Sequence, residues 1–242
     1  MTDWNALCHD LSKYDTPTIC NVVELFGVQS HTVGFMDKSI RAVFPKLPPM
    51  VGFAATATCR TAAPRKEGDA NHHLTQQVDR FVELSGPAVV VFQDLDGPPV
   101  AATFGEIMCT TYRTFGAVGL ITNGPGRDLD QVERLSFPVF TDGAVASHGY
   151  IHILDVHTPV RVGGLTVYPD DLIHADLNGV AVIPRSIADR LPDAATAFVA
   201  AEQIILSALH EPGATVASAR AAMAEADAVM DALRKKLRSL SV

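Results

Sequence analysis

EIMCTTYRTFGAVGLITNGPGRDLDQVERLSFPVFT, residues 106–141, is the stretch that decides the fold. Residues 106–115 read as a helix stopped by Gly116, and residues 117–122 as an apolar strand. The turn Asn123-Gly124-Pro125-Gly126 leads into a short helix over 128–135 and a strand over 138–141. Upstream, residues 71–85 place Leu74, Val78, Phe81 and Val82 on one helical face, and Gly86-Pro87 stops that helix before the apolar strand 88–92. Residues 52–59, GFAATATC, alternate as a strand does, with the threonines at outward positions. Helix and strand alternate through this region as in a parallel α/β unit, so helices are expected to cover a sheet.

The flanks differ. Residues 4–26 read as helical with a break at Pro17, since Thr16 can cap the next helix and proline suits its first position. That helix would turn Ile19, Val22, Val23 and Phe26 inward. Residues 160–184 carry short strands, VRVGGLTV and GVAVIP, with turns at Gly163-Gly164 and Asn178-Gly179. Beyond Pro184 the chain is helical to its end, broken by Glu211-Pro212-Gly213. Its last helix spaces Val216, Ala219, Met223, Ala226, Met230, Leu233 and Leu237 at helical intervals, more apolar surface than a free appendage exposes. We therefore expect a main domain over 1–185 and a helical extension over 186–242 that packs on the body or on a neighbouring subunit.

Composition narrows the function. Nineteen Lys and Arg stand against 27 Asp and Glu, a formal charge of -8, with no basic block. Nucleic-acid binding is not expected. No apolar run reaches the roughly 18 residues of a membrane span, and the first residues lack a signal-peptide pattern, so a soluble, cytoplasmic protein is expected. Cys8, Cys20, Cys59 and Cys109 form no CxxC pair.

In a parallel sheet, ligands sit beyond the carboxyl ends of strands. Two loops there carry chemistry. One delivers Gly105-Glu106-Ile107-Met108 at a helix start, where free N–H groups and the helix dipole favour an anion. The other delivers Arg127, a planar donor fork, beside Asp128, a hard ligand for a divalent cation. Magnesium often uses one or two carboxylates and keeps several waters, so Asp128 alone can suffice. Glu106 can hold such waters or move a proton. By pattern alone, Arg127-Asp128 also reads as an ordinary exposed pair at a helix start, and Glu106 as an ordinary first-turn acid. His148 and His152 are four apart in a segment that alternates as a strand, which suits structural roles better than a metal site, with His148 a possible substrate contact. His72 and His73 fall on different helix faces. Cys109 is close to a helix N-terminus, yet buried packing is the commoner fate of such a cysteine.

The block FGEIMCTTYRTFGAVGLITNGPGRDLDQV resembles the core signature of the 4-hydroxy-4-methyl-2-oxoglutarate aldolase family, whose fold is shared with the regulator of ribonuclease E activity A. DTPTICNVVELFG, VGFAATATC, FPVF and VYPDDLIHADLNGVAVIP extend the resemblance over roughly residues 12–190. It implies a three-layer β/β/α core with a mixed, partly parallel sheet, and assembly as a homotrimer or homohexamer. It further implies a metal-dependent carbon–carbon lyase, an aldolase or oxaloacetate decarboxylase, that takes a 2-oxo acid to a pyruvate enolate with Mg2+ or Mn2+. By the same resemblance Gly105, Glu106, Ile107 and Met108 bind the pyruvyl carboxylate, Arg127 contacts the pyruvyl oxygen, Asp128 binds the metal, and Glu106 lies near the metal waters. Glu202 matches, more loosely, a glutamate supplied by a neighbouring subunit; a solvated helix acid is the competing reading. The alternative is a non-catalytic regulator that binds a protein partner such as a ribonuclease, but those regulators resemble the core alone and lack the helical tail. The sequence departs from the pattern at Asn21 and Asn123, where aspartate is common, and at Pro125-Gly126, where a small apolar pair is common.

Overall fold

The computed structural model describes residues 2–239. Helix α1 (Trp4–Leu11) is capped by Asp3, whose Oδ1 accepts the N–H groups of Asn5 and Ala6 at 3.1 Å each. It is followed by α2 (Thr16–Phe26), with Pro17 in the first turn. Strands β1 (Arg41–Ala42) and β2 (Met50–Arg60) precede α3 (Leu74–Asp79), β3 (Ala88–Asp94), α4 (Glu106–Thr114), β4 (Ala117–Thr122), α5 (Leu129–Arg134) and β5 (Val139–Thr141). Next come β6 (His152–Val156), β7 (Val160–Val162), β8 (Leu165–Val167), β9 (Leu172–Asp176) and β10 (Gly179–Ile183), then the helices α6 (Leu191–His210) and α7 (Val216–Ser239). Two compact units result: Met1–Thr16 with Thr32–Ile183, and Pro17–His31 with Pro184–Val242.

The first unit is built on a mixed sheet in the order β1-β5-β4-β3-β2-β9-β10. Strands β2, β3, β4 and β5 run parallel, while β1, β9 and β10 are antiparallel to their neighbours. One edge of β2 is shared, since Met50 to Phe53 pair with β9 and Ala57 to Arg60 with β6. The α4 and α5 side chains Cys109, Tyr112 and Val132 pack on one face of the sheet, against Ala55, Ala57, Val90 and Phe92. The β7–β8 hairpin packs Val160, Val162 and Val167 on the other, against Ala54, Val89 and Val91. This is the β/β/α layering that the resemblance implies, and the helices after Pro184 are present as expected.

Covering both faces changes the reading of β2. Its threonines do not face solvent: Thr56 and Thr58 are buried, because the hairpin layer closes over the side the alternation assigned to water. Asp155 and Thr58 are joined through the Asp155 N–H, which donates to Thr58 Oγ1 at 3.2 Å. Val82 also departs from expectation. The helix over 71–85 begins only at Leu74 and tightens to a 3-10 turn at Arg80–Glu83, which swings Val82 out to 88% exposure while Leu74, Val78 and Phe81 stay on the core. His72 and His73 consequently precede the helix: His72 bridges to Ile153, and the His73 N–H donates to Gln76 Oε1 at 2.6 Å. Strand β9, which the short-strand pattern does not separate from its surroundings, carries His174 into the interior. Its Nδ1 lies 2.9 Å from Thr16 Oγ1 and its Nε2 3.2 Å from the Leu11 carbonyl. Burial holds its pKa below the ordinary histidine value, which keeps the ring neutral between these two partners.

In the second unit Ile19, Val22, Val23 and Phe26 of α2 are buried, as their spacing predicts. Arg190 lies over the Phe26 ring at 4.8 Å, and Arg238 Nε donates to the Leu25 carbonyl at 3.2 Å. Helices α6 and α7 pack on each other. Of the tail residues at helical spacing, Ala226 and Leu237 are buried, whereas Val216 and Met223 are exposed in this chain. No helix among the described residues is long and apolar enough to cross a membrane.

Candidate active site

The site arises where three loops at the carboxyl ends of the parallel strands pair as a short ladder. The Thr103 N–H donates to the Pro125 carbonyl at 2.8 Å and the Arg127 N–H to the Phe104 carbonyl at 3.1 Å. The Gly126 N–H in turn donates to the Gly143 carbonyl and the Val145 N–H to the Gly126 carbonyl, each at 2.9 Å, while Ala102 N–H reaches Ser147 O at 2.8 Å. The turn can pack this closely because it lacks side chains at two places. A Cβ on Gly124 would stand 2.3 Å from Thr103 Cγ2, and one on Gly126 only 1.9 Å from Phe104 Cζ. The departure at Asn123 has a structural role in the same place. Its Nδ2 donates to the Asp94 carbonyl at 2.9 Å and its Oδ1 accepts the Asp94 N–H at 2.7 Å, tying the end of β3 to the end of β4. An aspartate, which accepts only when ionised, could not make the first of these bonds.

Asp128 and α4 meet directly. Asp128 Oδ2 accepts the Glu106 N–H at 3.1 Å and lies 3.7 Å from Arg127 Nε. A Cβ on Gly105 would stand 2.6 Å from that same oxygen, so the contact requires glycine there for space rather than for backbone freedom. Asp128 itself adopts φ 55°, ψ 38°, a left-handed conformation that aspartate tolerates better than most residues. This turn aims the carboxylate back at the α4 N-terminus instead of along α5. The first N–H of α4 is therefore taken by a protein carboxylate, which leaves Ile107 and Met108 as the N–H groups without an intrahelical acceptor.

These groups line a cavity of about 310 Å³ that holds Gly105, Glu106, Ile107, Met108, Arg127 and Asp128 together. The structure thus gathers six of the seven residues to which the resemblance gives a role. Glu202 lies on α6, in the other compact unit, and is not part of the lining. His148 does line the cavity, exposed on the loop before β6, and His152 does not; its Nδ1 lies 2.8 Å from the Tyr150 carbonyl. Thr103, Phe104 and Ile151 also line it and carry no signal in the sequence, although two glycines flanking a proline mark a place where something must approach closely. Cys109 is fully buried one turn into α4. Burial first, and then the Asp128 charge, push its thiol up to about 12, which disfavours the thiolate at neutral pH.

Among the described residues no three His, Cys, Asp or Glu side chains converge as a metal-ligating group. The donor set suits a hard cation that keeps most of its water: one carboxylate, half-exposed at the cavity, engaged through Oδ2 alone. It does not suit a zinc or calcium cage.

The family model described as RraA-like, Aldolase/RraA, matches residues 16–182. The chain belongs to this RraA-like family. A protein of Halalkalibacterium halodurans, provisionally named a 4-hydroxy-4-methyl-2-oxoglutarate aldolase, is 31% identical over 102 residues, covering 42% of this chain and 49% of its own. Protein DlpA of Legionella pneumophila is 27% identical over 157 residues, 64% of this chain and 25% of its own. The RraA-like chain therefore spans a quarter to about half the length of these curated relatives. Among solved structures, Streptomyces coelicolor RraAS2, described as an unusual member of the RNase ES inhibitor RraA protein family, superposes with a TM-score of 0.66 at 22% identity, over 82% of this chain and 94% of its own. That likeness is one of fold.

Proposed function

We propose that this RraA-like chain is a divalent-metal-dependent carbon–carbon lyase that releases pyruvate from a 2-oxo acid. The observation that carries the reading is the contact of Asp128 Oδ2 with the Glu106 N–H across a Gly105 that has no room for a side chain. It supports one site in which an anion cradle, a fixed cation and a hard carboxylate face the same space.

In this reading the substrate carboxylate binds the Ile107 and Met108 N–H groups at the start of α4, and Arg127 faces the 2-oxo oxygen. Asp128 would hold Mg2+ or Mn2+, which when bound supplies Lewis-acid polarisation of the 2-oxo group. For an aldol substrate, a base takes the proton of the C4 hydroxyl and the C3–C4 bond breaks. Its electron pair moves toward C2 and leaves the pyruvate enolate beside Arg127, whose charge offsets that of the enolate oxygen. A proton returned to C3 then completes pyruvate, and Glu106, at the cavity, is placed to hold or move it. For oxaloacetate the same bond polarity expels carbon dioxide. Residues 1–185 act as the catalytic domain, and the extension over 186–242 serves assembly as a trimer or hexamer, with Glu202 reaching a neighbouring subunit's site.

The test is pyruvate release from 4-hydroxy-4-methyl-2-oxoglutarate and from oxaloacetate, with magnesium or manganese and then with excess chelator. Turnover from either compound that stops with chelator is the expected result. A folded protein that releases no pyruvate above the metal-only rate from either compound contradicts it.

A further inference from the structure

We infer that His148 is the base that takes the C4 hydroxyl proton when this site cleaves an aldol substrate. The inference rests on the 2-oxo acid reading of the cavity and supplies a residue for a proton transfer which that reading leaves unassigned. The ionisable side chains lining the cavity are Glu106, Arg127, Asp128 and His148. Arg127 stays protonated and cannot act as a base. Asp128 engages the Glu106 N–H through Oδ2 and is the seat assigned to the cation, while Glu106 is assigned the proton at C3. The Thr103 hydroxyl is engaged as well, 3.2 Å from Thr122 Oγ1 and 3.3 Å from the Pro125 carbonyl. That leaves His148, and histidine as a residue type gains and loses a proton near neutral pH.

The loop that carries His148 is held on both sides of it. The Ser147 carbonyl accepts the Ala102 N–H at 2.8 Å, and the Tyr150 N–H donates to the Thr61 carbonyl at 2.9 Å. Between them Gly149, at φ 52°, comes so close to the wall that a Cβ would stand 2.5 Å from the Thr61 carbonyl oxygen. The His148 side chain is therefore exposed at the cavity on a backbone that is fixed, with two torsions of its own to place the ring. In the step itself an imidazole nitrogen accepts the proton of the C4 hydroxyl as the C3–C4 bond breaks. The O–H electron pair becomes the second carbon–oxygen bond of the departing carbonyl product, the C3–C4 pair passes into the enolate, and the exposed imidazolium returns its proton to water. Loss of carbon dioxide from oxaloacetate breaks the corresponding bond with no hydroxyl to deprotonate, since the departing carboxylate is already ionised. A base at this oxygen serves the first reaction and not the second.

The test compares kcat for cleavage of 4-hydroxy-4-methyl-2-oxoglutarate with kcat for decarboxylation of oxaloacetate, in the magnesium-loaded full chain and its variants. His148→Ala should lower the aldol rate by about a hundredfold or more beyond any loss in decarboxylation, the scale of a positioned general base. Added imidazole should recover about tenfold of that loss, because the exposed position leaves room for it. His148→Gln, which hydrogen-bonds but takes up no proton, should be as slow in aldol cleavage as the alanine variant. Equal losses in the two reactions, an undiminished aldol rate in His148→Ala, or wild-type aldol turnover in His148→Gln overturns the base and leaves the lyase reading in place. A wild type that decarboxylates oxaloacetate but cleaves no aldol substrate overturns it too. Pyruvate release from neither compound overturns both.

Discussion

Replacing Asp128 by asparagine should lower metal-dependent pyruvate release by about 10³-fold or more while leaving the fold as stable as the wild type. Asparagine tolerates the left-handed backbone at φ 55° and keeps an oxygen that can accept the Glu106 N–H, so only the charge is lost. Asp128→Ala should lose as much activity and, in addition, about 1 kcal/mol of stability, because alanine carries the full cost of that conformation and leaves the N–H unpaired. Paired urea titrations and pyruvate assays separate the two effects. An Asp128→Asn protein with more than a tenth of wild-type turnover would remove Asp128 from the chemistry.

The second large effect is structural. Gly126→Ala should destabilise the protein by about 3 kcal/mol and abolish activity, since its Cβ would fall 1.9 Å from Cζ of the buried Phe104 and the ladder that places Arg127 would have to open. Shortening the obstacle tests the cause: Phe104→Leu in the same chain should recover part of the lost stability, a coupling that a double-mutant cycle measures. Additive losses would mean that the clash is not the mechanism.

Much of this was legible in the sequence because the relevant physics is local. The apolar runs at residues 88–92 and 117–122, and the stop at Gly116, mark strands and a helix end whatever surrounds them. Once those strands are read as parallel, topology alone sends Gly105 to Met108 and Arg127-Asp128 to the same end of the sheet. What escaped depends on contacts between distant segments. The outward reading of Thr56 and Thr58 failed because alternation reports two faces and not what covers them, and here the hairpin of Val160 to Val167 covers the second. Val82 was misplaced because a 3-10 turn changes the angle per residue within an apparently helical repeat. The entry of Thr103, Phe104 and Ile151 into the site follows from the register among three loops, set by backbone hydrogen bonds that no side-chain pattern encodes. Likewise, the use of the Glu106 N–H by Asp128 follows from one residue's left-handed conformation.

The central claim is that this cavity holds a pyruvyl group and stabilises its enolate, and proton exchange tests it without knowledge of the natural substrate. Pyruvate incubated in D2O with the magnesium-loaded protein should exchange its methyl protons for deuterium, followed by the loss of the methyl signal in the proton NMR spectrum. The account predicts exchange by the wild type well above the metal-only rate, lost with chelator and reduced about a hundredfold or more in Arg127→Ala. Exchange that persists undiminished in Arg127→Ala, or a folded wild type that exchanges no faster than magnesium alone, would contradict it.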